Sequence, residues 1–107
     1  MNTLRNIQKV GDKMMSKVPI DIDRIKKEDL DREILRVGMI AELDAVSLYE
    51  QLAEMTNHPD IKAVLQDIGR EEKTHVGEFQ TLLLKLDEEQ AIELKKGLEE
   101  VKELIEK

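Results

Sequence analysis

The chain has 107 residues, enough for one small domain that buries a modest share of its surface and gains from a partner subunit. Charged residues make up 38% and aromatics 2%, and Leu, Ile, Val, Ala and Met dominate the apolar set, which is the composition of amphipathic helices rather than strands. The absence of cysteine excludes disulfides, zinc–thiolate sites and iron–sulfur clusters. No apolar run approaches the ~20 residues of a membrane span, and no signal-peptide core is visible, so the expectation is no membrane and a location in the cytoplasm or a compartment inside it. The formal charge of −7 is unevenly placed: residues 1–33 hold eight basic and seven acidic residues, residues 34–107 nine and seventeen. An acidic region of this kind repels nucleic acid and attracts cations.

In chain order, residues 1–30 break into short pieces at Gly11-Asp12, Met14–Lys17 and Pro19, with no periodic apolar stripe. They read as a flexible or peripherally docked arm ahead of a domain over 31–107, and Met14-Met15 is also compatible with an alternative start. Asp29 or Asp31 is expected to cap a first helix running to about Thr56. In Asn57-His58-Pro59-Asp60, Asn57 is the expected next cap, Pro59 falls in the first turn, and Asp60 can close a capping pair. So tight a connection predicts an antiparallel helical hairpin. The second helix is expected over about His58–Leu86, and a third over about Asp87–Glu106. The third carries Ala91, Leu94, Leu98, Val101 and Ile105 on one face and charge on the other, as an outer packing helix requires. Gly38, Gly69 and Gly77, inside the first two helices, predict close helix approach, since each costs up to ~1 kcal/mol relative to Ala.

Polar residues interrupt both apolar stripes. On the first helix the stripe reads Leu35, Gly38, Glu42, Ala45, Tyr49, Leu52, with Tyr49 ~10.5 Å along the axis from Glu42. On the second it reads Ile61, Leu65, Ile68, Glu72, His75, Phe79, Leu82, Leu86. A buried carboxylate without compensation costs several kcal/mol, so these groups must be exposed, protonated, paired or bound to a metal. Pairing would have to use Arg36, Arg70 or Lys73, all of which fall off the stripes.

Glu72 and His75, three residues apart, project from one side of a helix and can reach one metal ion. A lone Glu-x-x-His is common on charged helices; Glu42, Glu72 and His75, each inside an apolar stripe, carry more weight. Di-iron four-helix bundles take a Glu from each of two helices and a Glu-x-x-His from each of two more. This chain supplies one of each, so a complete site requires a second copy. Glu71 could support such a site or receive the incoming cation, Asp44 reads as surface, and His58 as a loop residue.

The run Glu42-Leu-Asp-Ala-Val-Ser-Leu-Tyr49, followed by Arg70-Glu-Glu-Lys-Thr-His75 and the Gly97–Leu104 tail, resembles the encapsulated ferritin family over residues ~33–105. It looks most like the ferritin-like domains that archaeal chains carry fused to an encapsulin shell domain. The resemblance implies an all-α fold that dimerises into a ferritin-like four-helix bundle and a higher, ring-like oligomer. It implies iron at the two-fold axis, ligated by Glu42, Glu72 and His75 with Tyr49 nearby, and a ferroxidase that oxidises Fe(II) with dioxygen for storage in an encapsulin compartment. Ala41 and Leu48 depart from the acidic residue and tryptophan that free cargo members often carry there, which leaves Asp44 as the family-like carboxylate on an altered iron entry route. No shell-targeting peptide is recognisable before Lys107; a fusion partner, targeting through residues 1–30, or no encapsulation are the open routes. The competing readings are a rubrerythrin-like redox enzyme, and a non-enzymatic helical interaction module whose acidic pair is structural.

Overall fold

A computed structural model describes residues 24–106, so most of the arm expected over 1–30 lies outside the described residues. Its last part is a 3-10 turn, Lys27–Asp29, that leads without a gap into α1, Leu30–Met55. Asp29 occupies the cap position of α1 but makes no capping bond; its carboxylate accepts from Arg32 instead. The expected side-chain cap is therefore absent, because Asp29 already has helical backbone angles that turn its side chain away from the first amides.

Thr56, Asn57 and His58 connect α1 to α2, Pro59–Leu86. Here His58, not Asn57, is the cap: its Nδ1 accepts from the Asp60 amide at 3.2 Å and the Ile61 amide at 3.4 Å. Pro59 at the first helical position fixes the cap one residue upstream of itself, and Thr56 Oγ1 accepts from the His58 amide at 3.1 Å to tighten the turn. The hairpin is antiparallel, and Asp87 alone separates α2 from α3, Glu88–Ile105.

The close approach of α1 and α2 is set at Gly38, where an added Cβ would lie 2.9 Å from the Phe79 ring, and is looser at buried Gly69, where an added Cβ would lie 3.7 Å from the Tyr49 Cβ. Gly77 has nothing within 4 Å of such a Cβ, so close packing does not explain it.

Two helices can cover only a narrow strip of each other. Among the described residues the buried apolar ones are Leu35, Val37, Ala53 and Leu83, and thirteen large apolar residues are exposed. Leu83 takes the buried position expected of Leu82, and Ile61, Leu82 and Leu86 at the ends of the α2 stripe stand open. A straight helix drifts relative to its partner, so a stripe read along the whole of a long helix leaves the seam at both ends.

The C-terminal helix departs furthest from expectation. It does not pack along the hairpin: none of its residues is buried, and Leu94, Leu98, Val101 and Ile105 are 43–72% exposed. The overall extents of 51 × 47 × 20 Å are those of a hairpin with α3 standing out sideways from its end.

Candidate metal centre

Glu42 lies in the middle of α1, and Glu72 and His75 one turn apart in the middle of α2. Antiparallel pairing at the Gly38–Phe79 and Tyr49–Gly69 contacts puts the three side chains at one level of the seam. One donor atom from each lies within 4.8 Å of the others. The Nδ1 of His75 stands 3.4 Å from Oε2 of Glu42 and 3.4 Å from Oε2 of Glu72. The side chains of both glutamates are 19% exposed, whereas that of His75 is 42% exposed, so the cluster is covered by the hairpin on one side and open on the other.

The cations that could have compensated this charge are engaged elsewhere. Arg36 donates to Glu33 and Asp87, Arg70 to Asp67, and Lys73 lies 3.2 Å from Glu50 across the hairpin. The internal salt bridge weighed from the sequence is therefore not what the carboxylates make. Oε2 of Glu42 is buried without a hydrogen-bond partner, a costly state for a carboxylate oxygen and one that a bound cation relieves. Two hard oxygen donors and one imidazole form a set suited to iron and to other divalent first-row ions. The residues thus fit a metal, while one copy offers three protein donors and an exposed side.

Tyr49 packs by its Cβ against Gly69, one turn before Glu72 on α2, so it shares the seam with the cluster. Glu71 is exposed and outside the cluster, Asp44 is half-buried and has its own interaction, and His58 is occupied in capping. The Lys73–Glu50 pair was not anticipated: residues facing each other across a hairpin carry no local spacing by which a pattern could couple them.

Comparison with known proteins agrees with the fold. The family model described as rubrerythrin matches residues 33–107. A ferritin-like–encapsulin shell fusion protein of Pyrococcus furiosus is 55% identical over 94 residues, covering 85% of this chain and 27% of its own length. An encapsulin nanocompartment cargo protein of Myxococcus xanthus is 40% identical over 65 residues, 61% of this chain and 50% of that one. The chain thus spans half the length, or less, of these relatives. The crystal structure of the encapsulated ferritin domain from Pyrococcus furiosus superposes with a TM-score of 0.73 at 49% identity, covering 87% of this chain and 97% of that one.

Proposed function

Because the chain belongs to the rubrerythrin family of ferritin-like proteins, and matches an encapsulated ferritin domain over nearly all of that domain, we propose that it is a ferroxidase domain of an encapsulin system. Its substrates are Fe(II) and dioxygen, and its product, Fe(III), feeds iron storage in an encapsulin nanocompartment of the cytoplasm. The observation that carries this reading is the Glu42–Glu72–His75 cluster, mid-seam, with a buried carboxylate oxygen that has no hydrogen-bond partner and that Arg36, Arg70 and Lys73 do not answer.

Iron bound there supplies one-electron chemistry towards dioxygen. Glu42 and Glu72 would hold it through carboxylate oxygens, and His75 through a neutral ring nitrogen, with the glutamates balancing its charge. Three donors per chain leave room for dioxygen. Tyr49, on the same seam, is proposed as the tyrosine next to the site.

A second copy is needed to complete the donor set of a di-iron bundle. The thirteen exposed large apolar residues support the same conclusion independently, since an assembly would cover part of them. Pairing without metal would bring two Glu42 and two Glu72 into one confined site, where repulsion and desolvation oppose association. Two divalent cations compensate these charges, and an ion that binds the dimer but not the monomer drives assembly by mass action. The shell partner follows from the relatives, one fused to a shell and one a cargo.

Metal analysis of protein purified without chelator should find about one iron per chain, and the protein should oxidise Fe(II) faster than buffer does. Oxidation no faster than buffer refutes the ferroxidase assignment. Peroxide reduction in its place would favour the rubrerythrin-like reading, which the match to the rubrerythrin family model keeps in view.

A further inference from the structure

The junction between α2 and α3 is a single residue, and all four polar atoms of that residue are engaged. The Asp87 amide donates to the Leu83 carbonyl at 2.9 Å and closes α2, while its carbonyl accepts from Ala91 at 3.2 Å. Its Oδ1 accepts from the Gln90 amide at 3.0 Å and opens α3. Its Oδ2 accepts from Arg36 Nη2 at 3.0 Å, and Arg36 belongs to α1, fifty-one residues away in sequence. The first three bonds finish one helix and start the next. They act on either side of the Asp87 torsions, φ −132 and ψ 86, which are non-helical and turn the chain between the two helices, and none of them ties the angle between those helices to α1.

Packing does not supply that angle either. A cleft of about 380 Å³ opens between the start of α3 and the hairpin, bordered by Met39, Ile40, Leu43, Leu84 and Leu94, and no residue of α3 is buried. The bond that ties the junction to α1 is the Arg36–Asp87 ion pair. Its surroundings favour a fixed geometry, since the Asp87 side chain is 11% exposed and Glu33 accepts from the other arm of the guanidinium at 2.6 Å. The hydrogen bond that Arg36 donates to Glu33 first, and then the one it donates to Asp87, raise the Arg36 pKa above its ordinary value against the opposing effect of burial.

We propose that the Arg36–Asp87 ion pair is a latch that sets the angle of α3 and holds its apolar face clear of the hairpin. The latch is independent of the metal centre, so it stands or falls apart from the ferroxidase reading.

The absence of native cysteine allows labels to be placed at Glu54→Cys on α1 and Glu100→Cys on α3, both exposed. Metal-free labelled chain, diluted into excess unlabelled chain, would report intrachain distances by pulsed electron paramagnetic resonance. A single narrow distance is expected for the unsubstituted latch. Arg36→Gln and Asp87→Asn, the second of which keeps a capping oxygen for Gln90, should each broaden the distribution at least two-fold, with helix content unchanged by circular dichroism. The double variant should be no broader than either single one, and Glu33→Gln should stay narrow. An unaltered width in Arg36→Gln, or broadening in the double variant equal to the two single effects combined, would overturn the latch.

Discussion

Glu42 and Glu72, charged, are 19% exposed in the hairpin seam, whereas Leu104 and Ile105, apolar, are 74% and 72% exposed on α3. The two regions reverse the usual distribution of polar and apolar groups, and each reversal marks something that one chain leaves incomplete. In the seam, the component proposed to be missing is a cation, since Arg36, Arg70 and Lys73 pair elsewhere and the basic group set beside the carboxylates is the His75 imidazole. On α3, it is a surface, since among the described residues no element covers the apolar face. Covered charge and uncovered hydrophobicity both cost free energy in an isolated monomer. A metal-bound assembly of two or more copies removes both costs, which is why the two regions are best tested against each other.

The largest effect is expected in the seam. Glu72→Ala and His75→Ala should abolish metal retention and Glu42→Ala should weaken it. The first two should exceed the ~10–100-fold loss that follows removal of a mere supporting partner of a ligand. Helix content should persist in all three, because the substitutions remove charge from the seam rather than packing. Full metal occupancy in a demonstrably monomeric form would break the shared-site geometry.

The two regions should also respond differently to chelator. Fe(II), or Zn(II) as a redox-inert mimic, should raise the mass seen in analytical ultracentrifugation, and Glu72→Ala should remove that response. Leu98→Glu on α3 should lower the mass whether or not metal is present, with monomer stability changed by no more than ~0.5 kcal/mol, as for other exposed positions. A mass that ignores metal but follows Leu98 would confine assembly to α3.

A third test concerns the helix spacing on which the cluster depends. Gly38→Ala puts a Cβ 2.9 Å from Phe79 and should cost about 1–3 kcal/mol by overpacking, read as a lower unfolding midpoint. Gly77→Ala, with nothing in the way, should instead add up to ~1 kcal/mol. Equal responses at the two glycines would deny that the seam is tight at Gly38.

The smallest effect is at the hairpin turn. His58→Ala should cost about 0.5–2 kcal/mol through the lost cap, and His58→Asn should recover most of it. Chemical denaturation of the metal-free protein would separate these values, and an unchanged midpoint in His58→Ala would show that the turn stands without its cap.

Three helices, a tight hairpin and the meeting of Glu42, Glu72 and His75 were all legible in the sequence. Helical periodicity and i, i+3 spacing are local properties, and residues that interrupt two apolar stripes must meet wherever the stripes do. The run Glu42–Tyr49 and the run Arg70–His75 were specific enough to indicate the family. Other features depend on side-chain competition or on contacts between distant segments, and local spacing does not encode these. Asp29 chose Arg32 over the helix amides, His58 displaced Asn57 as a cap, and Leu83 replaced Leu82 in the seam. The direction of α3 is the plainest instance. Its stripe states that one face needs cover, but whether the hairpin supplies that cover depends on the Asp87 backbone and on an arginine fifty-one residues away. Periodicity determined which face of each helix is apolar. Tertiary structure alone decided which of those faces found a partner within the chain, because burial is a property of pairs of surfaces and a sequence pattern describes one surface at a time.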